Sequence, residues 1–227
     1  MTHARRLAAE ALGTAFLLAV VIGSGIMGER LAGGNLALAL LANTLATGTG
    51  LAVLILVFGP VSGAHFNPAV SLADAVRGWL RWGDVPSYVA AQILGAFAGV
   101  AAAHLMFELP LFAASQHVRA GLAQWWSEFV ATFGLVTVII ACVRHRPGAI
   151  PAAVGAYISA AYWFTASTSF ANPAVTLARA VSDTFAGIRP VDAPGFVVAQ
   201  LAGALCAVAL ARWLFFPAVP SGAHNDG

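Results

Sequence analysis

The chain has 227 residues, of which 60% are hydrophobic and only 9% charged, and its mean hydropathy is +0.84. So few charges cannot clothe a water-soluble globule, and a formal net charge of +2 gives no hold on nucleic acid or another polyanion. An all-α membrane protein with a single domain over residues 1–227 is the class that remains.

Arg5 and Arg6 precede the first apolar run, as in a secretory leader. The run contains Glu10 and outlasts the usual leader core, so it reads as a span. Apolar stretches near 7–28, 35–58, 87–107, 121–142, 149–168 and 193–216 each approach the ~20 residues that cross a bilayer. Two further stretches, 68–78 and 173–183, reach only ~16 Å as helices, about half the hydrocarbon thickness. Non-helical backbone leading into them must border protein or a water-filled cavity. The longest connection lies around 108–120, and the polar tail 217–227 reads as disordered.

Every basic side chain is arginine. Arg5, Arg6, Arg77, Arg81, Arg144, Arg146 and Arg212 fall on one side of the six-span arrangement, and Arg30, Arg119, Arg179 and Arg189 on the other. The richer side, with both termini, is expected to be cytoplasmic in a cell (plasma) membrane. Cys142 and Cys206 sit inside apolar stretches and read as buried, inert thiols.

The two short stretches carry nearly the same ten residues. Asn67-Pro68-Ala69-Val70-Ser71-Leu72-Ala73-Asp74-Ala75-Val76 matches Asn172-Pro173-Ala174-Val175-Thr176-Leu177-Ala178-Arg179-Ala180-Val181. The likeness extends outward, with Glu10 over Glu128, Thr14 over Thr132, Gln92 over Gln200 and Gly95 over Gly203. Two repeats, approximately 5–107 and 120–216, each hold three spans and one half-helix. Three being odd, the second repeat starts on the opposite face, and the half-helices meet at the midplane. Small residues four apart, Ala91/Gly95/Gly99 and Ala199/Gly203/Ala207, allow close helix crossings.

Asparagine caps a helix well and proline suits its first position. Two such starts face to face bring together two positive helix ends of ~+0.5 charge and two amide donors. A hydroxylated solute or water there offers its oxygen to Asn67 and Asn172 and turns its hydrogens toward the exits, which interrupts a proton wire; the positive ends repel cations.

The paired Asn-Pro-Ala motifs, with Ser62-Gly63-Ala64-His65 before the first, resemble those of the aquaporin and aquaglyceroporin family of major intrinsic proteins over roughly residues 5–216. The resemblance implies six tilted helices, two half-helices, a pore in each protomer lined by Asn67, Pro68, Ala69, Asn172, Pro173 and Ala174, and a homotetramer in lipid. It makes Glu10 and Glu128 scaffolds that accept N–H groups of the pore loops, and His65 a pore-lining residue on the cytoplasmic side.

Water- and glycerol-selective relatives carry an arginine directly after the second motif, where this chain has Val175. By position relative to the motifs, the other filter residues are Thr47, Ala160 and Ser169. All four are small and uncharged, so the expected constriction is wide and neutral. Arg179 lies four residues beyond Val175 on the same half-helix face; it either lines the outer vestibule and restores a positive charge, or snorkels at the interface. Bacterial relatives without the filter arginine include channels associated with arsenic resistance, so the solutes implied are neutral arsenite, glycerol, urea and some water.

Two other functions remain open at this point. Glu10, Glu128 and His65 could form the relay of an ion- or proton-coupled transporter, or the chain could be a water-selective or structural family member. No nucleophile–base pair, phosphate-binding glycine loop or metal-ligand spacing stands out, so neither an enzyme nor a cofactor or metal is expected.

Overall fold

The computed structural model describes residues 1–216, and the regular structure of these is helical throughout. The polar tail expected over 217–227 lies outside the described residues. The helices are α1 (His3–Leu31), α2 (Leu36–Ser62), α3 (Pro68–Val76), α4 (Val85–Met106), α5 (Leu122–His145), α6 (Ile150–Phe164), α7 (Pro173–Arg179) and α8 (Ala193–Phe215). Five helical segments of 24 to 29 residues are long and apolar enough to cross a membrane.

The sixth expected span is shorter than its apolar stretch. α6 has 15 residues and follows a single 3-10 turn at Pro147–Ala149. It stops at Phe164 because Thr165 turns extended (φ −109°, ψ 139°) and carries the chain back toward the bundle interior. α7 likewise ends at Arg179, short of the expected 183. Beyond it, Ala180 and Val181 give their carbonyls to the N–H groups of Ser115 and Ala113, so the connector between the repeats takes over from the helix.

Side-chain polarity decides what faces inward. Glu10, Gln92, Glu128 and Gln200 are fully buried, whereas Leu45, Leu56, Leu94, Val198 and Trp213 are exposed. Hydrocarbon-facing apolar residues around a polar interior are what a bilayer solvent selects. Cys206 departs from expectation: it is exposed, because α8 buries the face carrying Gly203, Ala204, Ala207 and Val208 and turns residue 206 away; Cys142 is partly buried.

Lipid supplies no hydrophobic drive between helices, so their association depends on close packing. α1 packs along α4, α5 along α8, and α2 lies against both α1 and α6. A Cβ on Gly95 or Gly99 would collide with the Ala11 or Ala15 carbonyl of α1, and one on Gly203 with the Phe129 carbonyl of α5. At the α2–α6 crossing Gly48 and Gly155 meet directly. The half-helices knit the repeats together, since α3 and α7 each touch α4, α8 and one another.

Candidate functional site

Asn67 and Asn172 cap α3 and α7 in the extended conformation, with Pro68 and Pro173 at the first helical position. Asn67 Oδ1 accepts the Ala69 N–H at 2.9 Å, and Asn172 Oδ1 accepts those of Ala174 at 3.0 Å and Val175 at 3.3 Å. The amide nitrogens cross over. Asn67 Nδ2 donates to the Ala171 carbonyl at 2.7 Å, and Asn172 Nδ2 donates to the Phe66 carbonyl at 2.8 Å. One N–H of each amide is used in this way, and among the described residues the other has no acceptor and is free for a solute. Both asparagines line one cavity of about 510 Å³.

The loops that place them are strained in parallel ways. Ala64 and Phe66 before the first motif have φ of 51° and 49°, and Ser169 and Ala171 before the second have 53° and 49°, all in the left-handed region that non-glycine residues avoid. Buried carboxylates hold them there. Glu10 Oε1 accepts from Ser62 Oγ at 2.6 Å and from the His65 N–H at 3.0 Å, while Oε2 accepts from the Phe66 N–H at 2.7 Å and Gln92 Nε2 at 2.9 Å. Glu128 accepts from the N–H groups of Phe170 at 2.9 Å and Ala171 at 2.8 Å, and from Gln200 Nε2 at 2.6 Å. Gln92 also donates to Ser71 Oγ and Gln200 to Thr176 Oγ1, both at 2.9 Å.

The cavity runs between the helices of both repeats. Leu51 and Ile55 on α2, Leu135 and Ile139 on α5, and Val154 and Ile158 on α6 make its apolar wall. Toward the α7 end stand Thr47, Tyr162, Ser169, Val175 and Arg179; toward the α3 end stand His65, Asp74 and Trp79. A second cavity of about 490 Å³ lies beyond the α7 end, lined by His117, Arg119 and Thr168 among others, and shares no lining residue with the first.

Of the four expected filter residues, Thr47, Ser169 and Val175 line the first cavity, but Ala160 does not. It is exposed on the outer face of α6, where the lining positions are Ile158 and Tyr162. Two residues along a helix turn about 200°, so position 160 points away from the pore that 158 and 162 face. Tyr162 brings an aromatic ring into that lining, and its hydroxyl donates to Thr47 Oγ1 at 3.3 Å. Among the described residues Ser169 Oγ is buried with no hydrogen-bond partner.

Arg179 adds a charge to the same lining, as one of its two readings expected. Arg179 is only 2% exposed yet lines the cavity. Its guanidinium carbon lies 3.3 Å from the centre of the Phe170 ring, and its Nε donates to the Ala186 carbonyl. Among the described residues neither terminal nitrogen has an acceptor within hydrogen-bond distance, so both are free toward the cavity. Arg119 comes from the connector to the same ring, 5.0 Å from its centre, donating Nε to the Gly187 carbonyl at 2.8 Å and Nη1 to that of Ser167 at 3.2 Å.

At the opposite end His65 is held on both ring nitrogens, Nδ1 3.0 Å from Ser71 Oγ and Nε2 3.1 Å from Asp74 Oδ2. Sequence reading overlooked Tyr162, Phe170, Arg119 and Asp74. The motif alignment already placed Asp74 over Arg179 and His65 over Phe170; Arg119 left no such signal, since its connector has no counterpart in the repeat.

The family model "Major intrinsic protein" matches residues 1–169 and 148–226. The chain is 61% identical over 216 residues to the aquaglyceroporin AqpS of Rhizobium meliloti, covering 95% of this chain and 92% of that protein. It is 30% identical over 198 residues to the glycerol uptake facilitator protein of Bacillus subtilis, covering 78% and 70%. The solved structure of the aquaglyceroporin from Plasmodium falciparum superposes with a TM-score of 0.77 over 95% of this chain and 98% of that one, at 22% identity, which speaks to the fold. With that fold, the reciprocal asparagine caps and matches running nearly end to end, the chain belongs to the major intrinsic protein family.

Proposed function

We propose that the chain is a passive transmembrane channel for small neutral solutes, with glycerol, urea and undissociated arsenite as the solutes to test and water as a slower passenger. The observation that carries this reading is the crossed pair of asparagines, each tied by one amide N–H to the opposite loop and left with one N–H for a solute inside a single cavity. A passing hydroxyl accepts from both in turn, and the apolar wall of Leu51, Ile55, Leu135 and Ile139 offers its carbon backbone a surface to slide on. The relatives named as an aquaglyceroporin and as a glycerol uptake facilitator favour a polyol over water alone.

In this reading Thr47, Tyr162, Ser169 and Val175 form the selecting layer, and Glu10 and Glu128 are scaffold. Every carboxylate oxygen of the pair accepts at least one hydrogen bond from a loop or a glutamine, which supports a fixed brace over a proton relay. The two repeats act as one channel domain, assembled as a homotetramer in the plasma membrane with both termini in the cytoplasm.

Stopped-flow light scattering on proteoliposomes, comparing water, glycerol, urea and neutral arsenite with a pH dye inside, tests this. Influx that follows each solute's gradient without acidification is the expected result. Influx requiring a proton gradient, or none above bare liposomes, overturns it.

A further inference from the structure

Asp74 and Arg179 occupy the same register, each seven residues beyond the asparagine of its motif, and both line the cavity. Each reaches back along its half-helix to the ring two residues before that asparagine: Asp74 to His65 at 3.1 Å, Arg179 to Phe170 at 3.3 Å from the ring centre. Repetition has kept the geometry and reversed the charge. A carboxylate faces the cavity at one mouth and a guanidinium at the other.

The surrounding charges do not cancel this polarity. At the α7 end Arg179 lines the cavity, whereas Glu128 is fully buried with both carboxylate oxygens accepting from its loop, and Arg119 belongs to the second vestibule. Glu29 and Asp183 lie out in the second vestibule, where solvent screens them. At the α3 end Asp74 lines the cavity, whereas Arg77, Arg81, Arg144, Arg146 and Arg212 do not: Arg77 lies flat on Trp79 with its guanidinium carbon 3.3 Å from the ring centre and 3.9 Å from Asp74 at its nearer nitrogen, and Arg212 donates to the Val76 carbonyl. Arg6 is engaged by Asp84 at 3.5 Å and by the Tyr88 hydroxyl. Asp74 thus keeps a cavity-facing negative charge, its side chain 15% exposed.

We infer that ion exclusion in this pore is bipolar: Arg179 bars cations at the α7 mouth, and Asp74 bars anions at the α3 mouth. The inference rests on the open-pore reading above. A neutral polyol meets donors at one mouth and acceptors at the other, and crosses. An ion of either sign is attracted into one end and stopped at the other. Asp74 is needed because the half-helix ends and Arg179 together would otherwise make the route favourable to anions. A unit charge at ~6 Å in a medium of effective dielectric ~20 changes an ion's partition by up to about a hundredfold.

The test uses the full chain in liposomes, reading glycerol by light scattering, chloride by a quenched dye and thallium(I) by a fluorescent indicator on each preparation. Wild-type glycerol flux decides the open-pore reading by itself. Given that flux, Asp74→Asn is expected to raise the chloride-to-glycerol ratio at least tenfold with thallium still excluded. Arg179→Gln is expected to raise the thallium-to-glycerol ratio with chloride still excluded, and Asp74→Glu and Arg179→Lys to keep both barriers. Asp74→Ser and Arg179→Met provide the same charge removal should either first variant fail to fold. Variants that pass glycerol and still exclude both ions, or that admit both ions together, overturn the inference.

Discussion

Glu10 and Glu128 do the same work in the two repeats: each buried carboxylate accepts the backbone N–H groups that lead into its own Asn-Pro-Ala motif, and each is braced by a glutamine from the third long helix of its repeat. The left-handed loop residues make this arrangement necessary. Backbone held at φ near 50° leaves N–H groups pointing inward that no helix can satisfy, and the buried carboxylates accept them.

Replacing either acid by glutamine should therefore damage the fold and leave no coupling phenotype. An amide presents a donor to an N–H that needs an acceptor, and one unsatisfied buried group costs about 1–3 kcal/mol. Glu10→Gln and Glu128→Gln are expected to lower the thermal midpoint in detergent by several degrees and to reduce glycerol flux. A variant of normal stability that had lost only a dependence on the proton gradient would instead identify a relay.

The constriction offers a contrast between neighbours on one helix. Ala160→Val adds two methyl groups on the outer face of α6 and should leave glycerol and urea permeability within about twofold. Tyr162→Ala removes a ring from the lining and one hydrogen-bonding partner of Thr47, and should raise permeability to the larger solute several-fold. Paired flux measurements on the two variants check this, and sensitivity at 160 with indifference at 162 would contradict the placement.

That contrast shows where sequence was informative. Apolar length located the long helices within a few residues, and the duplicated motif located α3, α7 and their caps, because cap chemistry is local. The carboxylate scaffold was legible once Glu10 and Glu128 were seen to occupy matching positions. Rotation about a helix axis was not. Counting from the motifs put Ala160 in the filter, whereas the helical phase set by Pro151, Val154 and Ile158 brings Tyr162 there. Which of its two readings Arg179 follows was not legible for a related reason. What holds it, the Phe170 ring and the Ala186 carbonyl, depends on a loop conformation without sequence periodicity.

Close crossings give a third prediction. A Cβ on Gly95 or Gly203 would strike a backbone carbonyl of the partner helix, which cannot move aside as a side-chain tip can. Gly95→Val and Gly203→Val should each destabilise by about 3 kcal/mol or more, at the upper end of overpacking. They are expected to appear as loss of a monodisperse peak and a lowered unfolding midpoint. Gly33→Ala is the control: its Cβ would meet nothing within 4 Å, and only the positive φ of 56° opposes it.

The connector supplies a pH-dependent signal outside the membrane-spanning helices. His117 lines the second cavity, and its pKa is held below the ordinary imidazole value, first by partial burial and then by the positive charges of Arg119 and Arg179, with Asp183 opposing them. A histidine whose folded pKa is depressed is neutral in the folded state, so its contribution to stability is fully present above the unfolded value of about 6.5 and lost as pH falls from there through the folded pKa. NMR titration of histidine-labelled protein should place His117 below that value. Arg119→Gln removes one of the two repelling charges and is expected to raise the pKa toward it, whereas Asp183→Asn removes the opposing negative charge and is expected to lower it further. An unchanged pKa in both variants would mean that burial alone sets the titration.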